Sequence, residues 1–525
     1  MSRSGLPQAS LARLGGGGGV SGRNARWAVA ALTALALALR FYRIGHQSLW
    51  VDELLTLQAA ELGGRMSLAA LFSNVQGPLH ALLVHAVGAV SRSEAALRSV
   101  SAVASAGTVP IVYMLGTELA DRRAGLLTAL LVAVSPFSIW YGQEVRNYAL
   151  LMFFAALSTL LIVRLSTGRS RAWAGYVAST TLGLYCNLAA IFLLAAHGVF
   201  VLGRGAVTAR AGRNWLRAAA VSALLFVPSV WGLARWARVD DVGSRVAVAP
   251  LAEEESLLRG GTTFTPMAFP YAFFAMCYGY SLGPGTEELH TRPPVDAYLD
   301  RAWLAIPGLA AALAALLGLR ALSSRPGAVR LALSVLLVPA VGAAALAFLN
   351  IKPLNARYLS VGFPVLMAVC GGGIGMLRRA PAALVGGVFL GFAAVSVTNY
   401  YTRPEYSRED VRGAARYVEA RERPGDVLLV PVVHDVFRFY YGGASDVFVI
   451  YSGQADSDDE VARRVRAGAA GRNRLWFVES RLWHTDPAGR IPAFLERSYP
   501  ALDESELAGV RLKLYDVGSS DAGES

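Results

Sequence analysis

Apolar runs of roughly 20 residues recur between residues 27 and 399, broken by short polar stretches, and they stop near Tyr401. That is the length an α-helix needs to cross about 30 Å of hydrocarbon. The pattern predicts spans near 27–44, 99–119, 125–140, 149–165, 173–185, 188–202, 218–234, 302–319, 331–349, 358–376 and 383–399, about eleven in all. After Tyr401 the period changes: amphipathic helical stretches alternate with buried-strand stretches. Strands are expected at 427–433, 447–451, 475–479 and 510–515, and helices at 458–470 and 491–498. The fold class this predicts is a polytopic α-helical membrane protein with a small C-terminal α/β domain.

Topology turns on the stretch "GPLHALLVHAVGAV", residues 77–90, which is apolar but short and carries His80 and His85. Read as an interfacial helix, it leaves Arg122, Arg123, Arg169, Arg171, Arg204, Arg210, Arg213, Arg320, Arg325, Arg378 and Arg379 on the side of the N-terminus. The positive-inside rule makes that side cytoplasmic. The organisation expected is then a disordered cytoplasmic tail over 1–26 with its Gly15–Gly19 run, and a membrane domain over 27–400. The latter has outward loops at 45–98 and 235–301, and an extracytoplasmic domain follows over 401–525. Arg40 and Arg43 follow the first run where a signal peptide would carry a small-residue cleavage site, so no cleavage is expected there.

Composition narrows the function classes. The 525 residues are 54% hydrophobic and 16% charged, which sets the chain apart from ordinary soluble domains. The formal charge of +12 sits in loops between apolar runs. It forms no basic helix with interleaved aromatics, so no nucleic-acid partner is expected. Cys186, Cys277 and Cys370 lie far apart and make no metal-spaced set. The C-terminal region lacks a GxGxxG fingerprint, so it is not read as a nucleotide site.

Candidate chemistry gathers on the outward side. "FYRIGHQSLWVDELLTLQAA" sets Asp52 and Glu53 just past the first apolar run, beside Trp50. A carboxylate at membrane depth is costly unless solvated, paired or used. The same pair would also suit the first turn of an interfacial helix, where acids favour the exposed amides. "SPFSIWYGQEVRNYALLMFF" holds Glu144 and Arg146 between Tyr141 and Tyr148, which fits either a surface ion pair or a cavity lining. Arg98, Lys352 and Arg357 are cations on the side that the charge rule depletes. They either snorkel to headgroups or meet a lipid-linked phosphate. The aromatic stretch around Tyr280 fits an isoprenoid tail, a sugar ring or ordinary interface aromatics. Glu287, Glu288 and His290 read as loop-solvating groups, and no metal site is assigned to them.

These residues carry a resemblance. "SLWVDE", "GPLHALL", the stretch from "ALRSVSAVASAG" through "WYGQEVRNYALL", and "NARYLSVGFPVL" resemble the GT-C glycosyltransferases. The branch is that of the protein O-mannosyltransferases and aminoarabinose transferases, within the bacterial family 39-like group. The likeness covers most of the membrane region and is densest over residues 40–164. It implies a GT-C fold, a sugar donor carried on a polyprenyl phosphate, and a catalytic carboxylate in the first outward loop. Asp52 would be the general base, with Glu53 and Glu144 as further catalytic acids. Arg146, Lys352, Arg357 and Arg98 would bind the donor phosphate, while Trp50, Tyr141, Tyr148, His80 and Tyr280 would line the substrate. Aminoarabinose transferases carry Glu-Lys where this chain has Gln76–Gly77, which removes a metal-binding acid and a phosphate-binding lysine. No cofactor is therefore expected, and another cation must serve the phosphate.

The reading this supports is an inverting glycosyltransferase of the plasma membrane. It would move a sugar from polyprenyl phosphate to an envelope glycan, lipid or protein in a membrane-lipid setting. A flippase for lipid-linked sugars is the alternative, and an assembly scaffold acting through the C-terminal domain is a third. A transporter would place ionisable groups near the midplane and show repeated halves.

Overall fold

The computed structural model describes residues 22–60, 71–72, 77–166, 172–203, 209–238, 266–285, 288–289, 292, 294–325, 327–349, 354–452 and 456–518. Lys352, Glu287, His290 and Gln76 lie outside them, as do residues 1–21 and residues 239–265 of the long outward loop. The membrane region runs α1 (Gly22–Phe41), α2 (Val51–Ala59), α3 (Pro78–Gly88), α4 (Glu94–Leu119), α5 (Arg122–Ala133), α6 (Pro136–Gly142) and α7 (Tyr148–Ser166). It continues through α8 (Trp173–Cys186), α9 (Ala190–Leu202), α10 (Ala209–Arg238), α11 (Ala268–Tyr278), α12 (Pro294–Leu299), α13 (Ala305–Leu322) and α14 (Ala328–Phe348). A 3-10 turn, Ala356–Gly362, then leads into α15 (Phe363–Met376), which α16 (Arg379–Thr402) follows.

Among the described residues seven helices are long and apolar enough to cross a membrane, or eight if the bent pair α5–α6 is one span. This is fewer than the eleven runs predict. The 14 residues of α8 and the 13 of α9 reach only about 20 Å at 1.5 Å per residue, short of the hydrocarbon thickness. The predicted span 125–140 is broken by 52° at Ser135–Pro136. Proline has no N–H to continue the ladder, so carbonyls at the end of α5 lose their partners. Arg40 replaces them. Its guanidinium is fully buried and donates to the carbonyls of Ala133 at 2.8 Å and Val132 at 3.0 Å, and to Ser105 and Ser138 Oγ at 2.6 and 2.9 Å. A cation at a helix C-terminus is also favoured by the macrodipole.

Close helix contact depends on small residues. A Cβ on Gly318 would lie 2.0 Å from the Val369 carbonyl oxygen, and one on Gly373 would lie 1.9 Å from that of Ala314, so α13 and α15 meet backbone to backbone. Elsewhere in the bundle Tyr176 links His197 and Trp215 through hydrogen bonds of 3.1 Å each, with Thr159 on the other histidine nitrogen. That network joins polar side chains of α7, α8, α9 and α10 to one another.

The C-terminal domain is a five-stranded sheet in the order β2-β1-β3-β5-β4, with β1 (Asp426–Leu429) parallel to β2 (Asp446–Phe448) and to β3 (Arg474–Glu479). β5 (Val510–Asp516) runs antiparallel to both β3 and β4 (Ala501–Leu507). Helices α17 (Val411–Glu419), α18 (His434–Tyr440), α19 (Asp458–Ala469), α20 (Leu482–Thr485) and α21 (Arg490–Ser498) cover the sheet. Successive side chains of a strand face opposite ways. Leu428 and Trp476 accordingly pack with Val411, Val418 and Phe437, whereas Val427, Leu429 and Phe477 pack with Val461, Val465 and Leu495. The sequence pattern misses β4, an edge strand reading "ALDESEL" whose Glu504 and Glu506 face solvent.

One membrane-domain element belongs to both halves. Leu54 of α2 enters the core of the sheet domain, with Val51 packed beside it. Leu57 and Ala60 pack with Ala81, Val84, Leu97 and Val145 in the membrane domain. Helix α2, which carries Asp52 and Glu53, is therefore clamped between the two.

Candidate active site

Adjacent residues on an α-helix point about 100° apart. Asp52 and Glu53, in the first turn of α2, consequently have different surroundings. Glu53 is fully buried. Its Oε1 accepts from Arg98 Nε at 2.8 Å and from the Val145 N–H at 2.7 Å. Its Oε2 accepts from Arg98 Nη2 at 2.7 Å and Arg408 Nη1 at 3.2 Å. Burial alone would raise the Glu53 carboxyl, but the Arg98 and Arg408 charges and these hydrogen bonds outweigh it and hold it below the usual carboxylate range.

Two sequence expectations change here. Arg98 is not free to meet a lipid phosphate. Besides its two bonds to Glu53 it donates to the carbonyls of Ile44, Gln47 and Ser48, so all five of its N–H groups are used. Glu53 has no solvent face from which to take a proton from a substrate. The pair is an internal anchor for the 44–53 segment.

Asp52 faces the other way and keeps 24% of its side chain exposed. Arg357 Nη1 lies 3.0 Å from its Oδ2 and Arg146 Nη2 lies 3.6 Å away. Arg146 also donates to the Asp52 backbone carbonyl at 2.9 Å and to Thr56 Oγ1 at 3.2 Å. Arg357 leans on the Tyr358 ring at 5.3 Å and Arg146 on the Tyr148 ring at 5.8 Å. One carboxylate against two guanidiniums leaves one positive charge in excess around Asp52. An anion with several oxygens is what such a fork accepts.

Glu144 lies on the buried side of the loop between α6 and α7. Its Oε1 accepts from Arg408 Nη2 at 2.9 Å, and its Oε2 is buried without a hydrogen-bond partner. Burial pushes its carboxyl up to about 7, and the attraction of Arg408 offsets this only in part. Arg408, which arrives from the segment after α16, is itself 5% exposed and sits 6.0 and 5.7 Å from the Trp50 and Trp140 rings. Nothing in "SREDVRGAARY" singles it out, because the stretch reads as the solvated start of a helix. Its position directly after the last span was the available signal.

The remaining candidates form the walls. Tyr141 and Tyr148 are buried with ring centroids 5.0 Å apart, and Tyr141 shares a 2.8 Å hydrogen bond with Tyr280. His80 is buried beneath the site. It contacts Ser101 Oγ at 3.3 Å, which in turn donates to the Arg146 carbonyl. Burial and the Arg146 charge push His80 down to about 3, so it is neutral and supports the loop from below. Among the described residues no group of three His, Cys, Asp or Glu side chains is placed to hold a metal ion. Gly77 has φ +110°, and a Cβ there would lie 2.0 Å from the Cys186 carbonyl oxygen and 2.8 Å from Asn147 Nδ2. That close approach excludes a lysine at this position. Among the described residues, Arg146 and Arg357 are the cations paired with Asp52.

Residues 75–231 match the family described as dolichyl-phosphate-mannose-protein mannosyltransferase. Archaeal oligosaccharyltransferase AglB from Archaeoglobus fulgidus, solved with an inhibitory peptide and a dolichol-phosphate, superposes with a TM-score of 0.51 at 13% identity. That match covers 93% of this chain and 74% of AglB. ArnT from Cupriavidus metallidurans, solved with undecaprenyl phosphate, gives 0.49 at 14% identity over 94% of this chain and 98% of ArnT. The S. cerevisiae protein O-mannosyltransferase Pmt1–Pmt2 complex gives 0.31 at 15% identity over 40% of this chain and 32% of its own. No curated protein sequence matches the chain. The chain is thus a multi-pass membrane protein with the GT-C fold, similar to the family 39 branch of the GT-C glycosyltransferases.

Proposed function

We propose that this chain is an inverting glycosyltransferase that takes a sugar from a polyprenyl-phosphate donor and places it on a cell-envelope acceptor at the outer face of the plasma membrane. The observation that carries the proposal is the Asp52 site: a partly exposed carboxylate flanked by Arg357 and Arg146. The family match over residues 75–231 and the AglB-like fold support the same chemistry.

In this mechanism Arg357 and Arg146 hold the donor phosphate and stabilise the charge that builds on it as it departs. The acceptor hydroxyl attacks the anomeric carbon from the face opposite the phosphate, and its proton passes to Asp52. The carbon–oxygen bond to the phosphate breaks with its electron pair, and polyprenyl phosphate leaves with the anomeric configuration inverted. Of the three clustered acids only Asp52 is reachable, since Glu53 and Glu144 are buried. Lys352 stays a further candidate for the phosphate.

The site's place along the helices agrees with an outer-face reaction. Asp52, Glu144, Arg357 and Arg408 follow α1, precede α7, precede α15 and follow α16, all at the end that bears the sheet domain. Arg122, Arg320 and Arg379 mark the opposite, cytoplasmic end under the positive-inside rule. A carrier would set its ionisable groups midway along the helices, so transport is the weaker reading.

The test is direct. Purified protein in detergent or nanodiscs receives polyprenyl-phosphate sugars and envelope acceptors, and product is read by mass spectrometry and its anomeric configuration by NMR. Transfer with inversion is the expected result; retention, or translocation of an intact donor without transfer, contradicts the proposal.

A further inference from the structure

Four ionisable side chains meet beneath Asp52 from four separate parts of the chain. Glu53 comes from α2, Arg98 from α4, Glu144 from the loop after α6, and Arg408 from the segment that opens the C-terminal domain. Two carboxyl groups face two guanidiniums, so the cluster balances in charge when Glu144 is ionised, and each member is at least nine-tenths buried. Arg98 binds only Glu53 among the acids. Arg408 binds both, at 3.2 Å to Glu53 and 2.9 Å to Glu144, and also approaches the Gln143 carbonyl at 3.5 Å.

Those contacts span the two segments that carry the reactive groups. Glu53 follows Asp52 directly, and Glu144 lies two residues before Arg146. We infer that Arg408 is a positioning residue: the C-terminal domain inserts it to fix α2 against the 143–147 loop, and so sets Asp52 against the Arg146 guanidinium. The inference rests on the glycosyltransferase reading above and adds to it that the C-terminal domain is part of the active site.

The domain is well seated for this task. Arg412 pairs with Glu94, Ser48 Oγ donates to Asp410 at 3.0 Å, and the Leu49 N–H donates to the Tyr440 hydroxyl at 2.8 Å. These contacts hold the domain against the 45–49 segment independently of Arg408. Loss of Arg408 alone therefore leaves the domain docked while freeing the loop. It also leaves two buried carboxylates facing one guanidinium, a state that costs more than losing both members of a pair.

The experiment is a double-mutant cycle on the full chain, with transfer kinetics as the readout. R408M is expected to lower kcat on the order of 100-fold and E144Q about tenfold, with donor KM moving less than about threefold. The double variant R408M/E144Q, whose remaining charges balance, is expected to recover part of the R408M loss. R408K keeps the charge, but one amine does not span both carboxylates, and a kcat loss of about tenfold is expected in a folded protein. R408K carries the test if R408M fails to fold. A folded R408M or R408K with kcat within about twofold of wild type, or a double variant at the product of the two single losses, overturns the inference. Wild type and D52N run alongside: a wild type without transfer overturns the function reading and this inference together, whereas active wild type with unaffected Arg408 variants overturns this inference alone.

Discussion

Arg357 Nη1 lies 3.0 Å from Asp52 Oδ2, an ion pair between residues 305 positions apart in the chain. It joins the start of α2 to the turn before α15, and both partners keep about a quarter of their side chains exposed, 24% for Asp52 and 28% for Arg357. If Asp52 is the proposed base and Arg357 the proposed phosphate-binding cation, their contact would describe the site before substrate arrives. In the mechanism proposed above, the incoming phosphate would compete for Arg357 and release the Asp52 oxygen toward the acceptor.

Arg357→Ala should therefore act on the donor. Losing one charge-assisted hydrogen bond to phosphate is worth about 1.5–3 kcal/mol, or roughly 10- to 100-fold in affinity. Titration of polyprenyl phosphate against the variant is expected to show that loss. Unchanged affinity would mean that Arg357 only neutralises Asp52.

The Glu53–Arg98 pair should behave as structure. Breaking a buried pair from one side costs about 3–5 kcal/mol. Glu53→Gln and Arg98→Met are each expected to lower thermal stability strongly. The double variant E53M/R98M, which leaves no unpaired charge between these positions, is expected to be less destabilised than the sum. Melting curves in detergent check this.

Adjacent acids with opposite fates mark what the sequence leaves open. "VDE" shows that carboxylates sit at a membrane rim, but the 100° step between neighbours decides which one meets Arg98 and which one meets Arg357. The apolar runs placed most helices because hydrocarbon imposes their length. The bend at Pro136 depended on how a distant neighbour, Arg40, fills the gap it leaves. Arg408 was hidden because its surroundings are hydrophilic and only tertiary folding buries it. Strand β4 was hidden for the converse reason, since an exposed edge strand needs no apolar alternation.

Stability should depend on Glu144 with a definite sign. Its folded value of about 7 stands above the ordinary 4.5, so the folded chain binds more protons between those limits. Its contribution is full below about pH 4.5 and is lost as pH rises through 7. Glu53 runs the other way, its contribution present above its ordinary value and lost as pH falls. Glu144→Gln is expected to flatten the decline in melting temperature between pH 4.5 and 7, measured by differential scanning fluorimetry.

Gly77 should resist substitution. Its φ of +110° and the 2.0 Å approach of a Cβ to the Cys186 carbonyl both forbid a side chain. Gly77→Ala is expected to cost at least about 1–3 kcal/mol through backbone strain alone, read as lost yield or melting temperature. A stable Gly77→Lys variant would show that the loop before α3 can move aside.

The most direct measurement is the transfer rate of Asp52→Asn at saturating donor and acceptor. Removal of a general base is expected to lower kcat by about 10²- to 10⁴-fold. Polyprenyl phosphate should still bind, because Arg146 and Arg357 remain. A folded Asp52→Asn protein that transfers sugar at the wild-type rate would contradict the central claim.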